Sequence, residues 1–416
     1  MFPWLEILQL MIAGVVSVYL TPMFWVVAAL ITYQYWQLQK SQRSMFGVGT
    51  FSLTQQVKIT IVLGSIGGVI GSFLLTMMGV NINQIGLSYI WPIAILLMVI
   101  NMRYLCFAYA GGLVAMSAVL FGWPLVDVPQ ILVLVAILHI TESILIAISG
   151  HCGSMPVILK RSDGRLVGGF NLQNFWPIPL ILMSTVTVPN AEISSGMLNM
   201  PDWWPLLPVA AAAPEGYQWM YIMIPVMAAL GYTDFAIASS PQKRRQTSAL
   251  YLAAYSILLL TLALLSVKYK WLQFLAALVS PLGHELLIQL DIRRELTGTP
   301  RYVPPIHGVM VLDTVLKSPA NKAGLKPGDI LLKLHGLSVD KPNLLVDALE
   351  FAPAEFVLEF MRNGQLLQRK IIRAKDEPML GVISVPNGNE GKFIELAEDK
   401  FWLWEWFKDK LDKKKG

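Results

Sequence analysis

The sequence predicts a two-part fold: an α-helical polytopic membrane domain followed by a small soluble α+β domain. Three observations carry this. The 416 residues are 55% hydrophobic and only 14% charged, against roughly 25% charged in soluble globular chains. Apolar segments of about 15 to 23 residues, near the 20 that cross a bilayer core, recur from the N-terminus to about residue 290. After Arg294 the composition changes to short alternating strands separated by Gly and Pro turns.

Ten candidate spans follow, near residues 5–20, 23–38, 59–79, 86–102, 104–121, 131–149, 175–189, 217–239, 248–267 and 271–290. Thr21-Pro22 removes a backbone donor between the first two, so these read equally as one broken helix. The first stretch has Glu6 near its start, no basic leader and no small-residue cleavage site, so it is expected to remain as an anchor. Trp203 to Ala213 is short and holds Pro205 and Pro208, which suits an interfacial or re-entrant segment. Lys and Arg collect in alternate turns: Lys40, Arg43 and Lys58; Arg103; Lys160, Arg161 and Arg165; Lys243, Arg244 and Arg245; Arg293 and Arg294. Lys268 and Lys270 are the exception. By the positive-inside rule the basic turns, and everything after residue 295, are cytoplasmic.

The formal charge of +5 and pI near 9.0 come from those turns and from the Lys410 to Lys415 tail, a distribution that orients a membrane protein and implies no nucleic acid. Two cysteines, Cys106 and Cys152, make neither a disulfide framework nor a paired zinc motif. No cofactor and no metal is expected.

In the soluble part, Gly308 to Asp313 reads as a strand, Ser318 to Asp329 as a small helix closed by Gly324 and a Pro-Gly turn, and Ile330 to Leu334 as a second strand. Pro342 to Glu350 reads as a helix, and 356–361 with 366–372 as a hairpin about Asn363-Gly364, a type I′ signal. The run GVMVLDTVLKSPANKAGLKPGDILLKLHG, Gly308 to Gly336, resembles the PDZ domains of bacterial proteases and membrane proteins. That resemblance implies a small, partly open β-barrel with two helices, and divides the chain into a multi-span membrane domain (1–295), a PDZ domain (300–374) and an amphipathic basic tail (375–416). It also implies strand addition of a peptide along a sheet edge. The edge is expected at Val309, Met310, Val311 and Leu312, the carboxylate loop at Pro305, Ile306, His307 and Gly308, and the opposing wall at Leu345, Ala348 and Leu349. Pro305 and its neighbour Pro304 lack donors, so internal or extended peptides are as compatible as a chain terminus.

The order of the whole chain, with FNLQNFWPIPLIL (Phe170 to Leu182), then SPLGHELLIQLDIRREL (Ser280 to Leu296), then the PDZ-like run, resembles the MinJ family of Gram-positive rods. The resemblance implies a membrane adaptor that places the division septum by bridging a DivIVA-like polar scaffold to a MinD-like division inhibitor. It would reside in the cell membrane at septum and poles, with the PDZ domain and C-terminus in the cytoplasm.

Two other classes share these residues. His284-Glu285-Leu286-Leu287-Ile288 looks like the HExxH helix of site-2-type intramembrane zinc proteases, in which two histidines hold zinc and the glutamate activates water. Ile288 stands where the second histidine belongs, so His284 and Glu285 are only weak catalytic candidates and no enzyme is expected. His139 and Glu142 lie on one face of a span. Intramembrane ionisable residues are functional candidates by default, but at this spacing they are expected to satisfy each other by a hydrogen bond. A transporter would use the same pair plus Gly64, Gly67, Gly68 and Gly71, which read more simply as helix packing. In the tail, Phe393, Ala397, Phe401, Trp404, Phe407 and Leu411 recur at helical spacing ahead of a lysine cluster. This suits an amphipathic helix against anionic lipid, or one docked on protein.

Overall fold

The computed structural model describes residues 2–190, 198–209, 211–373, 379–388 and 392–395. Two compact units divide the chain, one built from 1–40, 51–154 and 171–297, the other from 41–50, 155–170 and 298–416. Of the tail expected at 375–416, residues 379–388 and 392–395 are described and hold two short strands, with a strand at Ile394–Glu395 where the helical pattern was expected to begin; the rest lies outside the described residues.

The first unit contains α1 (Trp4–Val18), most of α2 (Pro22–Phe46), α3 (Leu53–Met78), α4 (Leu87–Ile100), a single 3-10 turn (Met102–Tyr104), α5 (Phe107–Phe121) and α6 (Val128–Ser149). After β1 (Met155–Lys160) and β2 (Leu166–Pro189) come β3 (Tyr217–Ala236), α7 (Pro241–Lys268) and α8 (Trp271–Thr297). Helix ends follow local chemistry: Asp127 accepts from the Gln130 N–H to start α6 and Ser240 does the same for α7, each followed by a proline in the first turn. Gly79 ends α3 at φ 80°, a conformation open to glycine.

Among the described residues α3, α6, α7 and α8 are long and apolar enough to cross a membrane, and α1 with α2 add a fifth span if counted together, bent by 71° at the expected Pro22 break. Helices α4 and α5 are shorter. Residues 175–189 and 217–239, expected to span as helices, are instead strands β2 and β3, paired side by side. The physical reason is visible along β2. Pro177 and Pro179, two apart, would break a helix, and an apolar run of this length does not by itself distinguish helix from strand.

The strand is made tolerable in an apolar unit by the helices beside it. Backbone groups that lack a strand partner must find another. The Phe175 N–H donates to Tyr35 Oη, the Phe175 carbonyl accepts from Thr60 Oγ1, and the Ile181 N–H donates to Ser72 Oγ. A Cβ at Gly64 or Gly68 would overlap the carbonyl oxygen of Pro177 or Pro179. Gly67 and Gly71 face Leu145 and Thr141 of α6, so the glycine run packs α3 against a helix, as expected, and also against a strand.

The second unit is built on a sheet in the order β8-β7-β5-β4-β9, with β6 pairing β5. Its elements are β4 (Val309–Thr314), α9 (Pro319–Lys322), β5 (Ile330–Leu334), β6 (Leu337–Ser338), α10 (Pro342–Phe351), β7 (Glu355–Arg362), β8 (Gln365–Ile372), β9 (Val382–Ser384) and β10 (Ile394–Glu395). Period-two alternation puts Phe356, Leu358 and Phe360 of β7 inward, where they meet Val309, Val311, Leu331 and Leu334. Asn363 and Gly364 have φ of 51° and 79°, the signature of the expected type I′ hairpin. Arg362 donates Nε to Asp329 Oδ1 (2.7 Å) and Nη2 to Asp329 Oδ2 (2.6 Å), tying β7 to the turn before β5. The sheet does not stop at residue 374, because β9 belongs to it. In the same unit β10 pairs with β1 in parallel.

Candidate functional site

The first unit brings three metal-ligand side chains together. Cys106 caps α5, His139 lies in the middle of α6, and His284 lies in α8 three residues after Pro281. Alignment of α8 on α5 comes from Gly112, where a Cβ would crowd the Pro281 ring, and from Ser280 Oγ, which donates to the Ala108 carbonyl at 2.8 Å. The break between α4 and α5 brings Cys106 to the two rings. Its Sγ stands 3.2 Å from His139 Nε2 and 3.9 Å from His284 Nε2, and the two imidazoles are 5.0 Å apart, edge to face. Tyr109 packs on the His284 ring and Tyr255 on both rings.

His139 does not bond Glu142, as the spacing led one to expect: its Nδ1 lies 2.7 Å from the Val135 carbonyl and its Nε2 faces Cys106. Glu285 points elsewhere. Its Oε1 accepts from Arg103 (2.7 Å) and Gln289 (2.8 Å), and Oε2 accepts from Tyr109 (2.6 Å). Both oxygens are engaged by protein donors.

A second buried centre had no signature in the sequence. Arg244, 2% exposed, donates to Asp234 (2.6 Å) and Asp291 (2.7 Å) and lies 3.9 Å from Glu295. Ser248 Oγ lies 2.9 Å from a carboxylate oxygen of both Asp234 and Asp291 and donates its one proton to either, and Glu295 Oε2 accepts the N–H groups of Ile237, Ala238 and Ser239. The end of β3, the start of α7 and the end of α8 are thereby joined. Arg244 looked like one of three orienting cations in a basic turn, but it is a buried structural partner.

In the second unit, β4 is not an edge. It is flanked by β5 and β9: the Met310 carbonyl accepts from Val385, and the N–H and carbonyl of Val311 are taken by Asp329 and Gly328. The Gly308 N–H, expected to hold a carboxylate, donates to Asp340 Oδ1 at 3.1 Å. Pro305 and Gly308 to Met310 line a cavity of about 290 Å³ with Asp340, Lys341 and Val385, while Ile306 and His307 are exposed. Leu345, Ala348 and Leu349 are 8%, 5% and 8% exposed and belong to the core.

The sheet ends instead at β9. Val385 N–H donates to Met310 and the Gly381 carbonyl accepts from Val315. By antiparallel alternation, the N–H and C=O groups of Val382 and Ser384 face away from β4, where no strand pairs among the described residues. Beside this edge, burial pushes the Asp313 carboxyl up to about 6. The signal for the edge was present in the sequence as Leu380-Gly381-Val382-Ile383-Ser384, a short apolar run after a loop, but it lay beyond the boundary set at 374.

No protein-family model matches the chain. It is 23% identical over 398 residues to the cell division topological determinant MinJ of Bacillus subtilis, covering 90% of this chain and 95% of that protein. It is thus MinJ-like along nearly its whole length. A 114-residue stretch is 29% identical to the magnetosome formation protease MamE of Magnetospirillum gryphiswaldense, covering 27% of this chain and 12% of that protein. Among solved structures, the PDZ domain of the SdrC-like protein of Listeria monocytogenes aligns with 19% of this chain and 90% of its own length, at 17% identity and a TM-score of 0.17. That score adds nothing to the strand register described above.

Proposed function

We propose that this MinJ-like chain is a non-enzymatic membrane adaptor of cell division, whose second unit is a PDZ-type domain that captures a partner as an added strand along β9. The similarity to MinJ over 90% of the chain carries the division role. The outward groups of Val382 and Ser384 support the mode of capture, since strand addition needs unpaired main-chain donors and acceptors. In this reading the apolar helices hold the chain in the cell membrane, and the basic turns put the PDZ-type domain in the cytoplasm. A DivIVA-like polar scaffold and a MinD-like inhibitor are the partners it would bridge. The protease reading is disfavoured by Ile288 at the second ligand position and by the occupied oxygens of Glu285.

The test is imaging of the tagged full-length protein in dividing cells beside Ser384→Pro and a deletion of residues 300–388. Proline at 384 deletes an outward donor and spares the ladder to β4, which edge strands tolerate. Septal and polar foci in the unaltered protein, with foci or partner recruitment lost in both variants, are expected. Uniform membrane staining of the unaltered protein would reject the division role, and full recruitment by Ser384→Pro would reject β9 as the docking edge.

A further inference from the structure

We propose that Cys106, His139 and His284 form a binding site for one transition-metal ion, Zn2+ by the chemistry of the set. The three donor atoms lie within 4.8 Å of one another. Tetrahedral zinc, with bonds of about 2.3 Å to sulfur and about 2.0 to 2.1 Å to nitrogen, sets a sulfur-to-nitrogen separation of about 3.6 Å. The observed separations of 3.2 and 3.9 Å lie on either side of it, so small side-chain rotations complete the geometry.

The rings are prepared for this. A proton on His139 Nδ1 donates to the Val135 carbonyl and leaves the Nε2 lone pair directed at the cluster, the outer-shell arrangement that metal-bound histidines use. His284 is 9% exposed, and its Nδ1 has no hydrogen-bond partner. Its Nε2 has only the long contact to sulfur. Burying an imidazole satisfied so poorly is unfavourable, and coordination offsets that cost. Thiolate with two imidazoles selects a borderline-soft ion over Mg2+ or Ca2+.

The ion would be structural. Cys106 is 33 residues from His139 and 178 from His284 along the chain, so one ion would join α5, α6 and α8. Glu285, next to ligand His284, is held by Arg103, Gln289 and Tyr109 and is not placed to activate a metal-bound water. The fourth position falls to water.

The experiment uses the full-length chain purified in detergent without chelator, analysed by elemental mass spectrometry and then exchanged with Co2+. About one zinc per chain is expected, with tetrahedral Co2+ bands and a thiolate-to-cobalt charge-transfer band. Cys106→Ser should lose the charge-transfer band and His139→Gln should lose most of the ion, while Cys152→Ser retains both. A folded unaltered protein that takes up neither Zn2+ nor Co2+ overturns the proposal, as does a charge-transfer band that survives Cys106→Ser and disappears in Cys152→Ser. If the ligand variants fail to fold, the cobalt spectrum of Cys152→Ser decides, because a thiolate band in that variant requires Cys106 and its loss there overturns the proposal.

Discussion

The two buried polar centres of the first unit answer the same problem in different ways. At Arg244 the terminal nitrogens of one guanidinium meet two carboxylates, a third lies nearby, and the backbone of residues 237–239 and Ser248 take up remaining lone pairs. At Cys106, His139 and His284 no formal charge is paired, and one ring nitrogen finds no partner. The first centre pairs its charges within the protein, although Arg244 Nε has no hydrogen-bond partner, and the second pairs none. Paired opposite charges mark a structural joint; a convergent set of ligand atoms with no charge to pair marks a place for something else.

The largest effect that sharpens this contrast is expected at the charge-paired centre. Arg244→Met leaves Asp234, Asp291 and Glu295 buried together without their cation. Removing one partner of a buried ionic network costs about 3 to 5 kcal/mol, enough to lower the thermal midpoint of the detergent-solubilised protein by many degrees or abolish its accumulation. A midpoint within about 1 kcal/mol of the unaltered protein would mean that the network is solvated and the contrast with the Cys106 cluster is false.

This centre also shows why parts of the molecule were hidden in the sequence. Arg244 follows Lys243 and precedes Arg245, and a basic triplet reads as a cytoplasmic turn because side-chain direction is set only when β3, α7 and α8 meet. The strands β2 and β3 were hidden for a related reason: β2 is buried along most of its length and gives no period, β3 is apolar along most of its length, and Pro177 and Pro179 in β2 and Pro225 in β3 were the local warnings. By contrast, β4, β5, α10 and the 363–364 hairpin were legible, because period-two alternation and turn residues act locally. His139 and His284 were singled out separately, yet their meeting with Cys106 depends on helix packing at Gly112 and Pro281. The docking edge was missed because β9 follows an interval, 374–378, that interrupts the pattern.

A smaller effect tests an unpaired buried carboxylate in the second unit. Asp313 accepts the Thr314 N–H and has no ion pair among the described residues. Burial favours its protonated form and raises its pKa to about 6. Below about pH 4 the carboxyl is protonated folded or unfolded, and the unit carries no penalty. As pH rises from about 4 through 6 the folded unit must ionise a buried acid, and stability falls by up to about 3 kcal/mol. Asp313→Asn should flatten that dependence. The measurement is hydrogen-exchange protection of β4 and β5 amides, corrected for intrinsic exchange; equal slopes for both proteins would show that Asp313 is hydrated.

The smallest effect lies at the opposite limit from Arg244. Lys370 and Glu355 form a cross-strand ion pair on β8 and β7 with side chains 61% and 54% exposed. Water already solvates both charges, and holding two mobile side chains costs conformational freedom, so such pairs contribute about 0 to 1 kcal/mol. Lys370→Gln should change the stability of the second unit by less than about 0.5 kcal/mol, read by the same exchange measurement. The pair matches the Arg244 network in close contact and differs from it in burial and in having a single carboxylate. A loss above about 2 kcal/mol here would mean that contact distance ranks these centres, and burial of paired charges would no longer mark a structural joint.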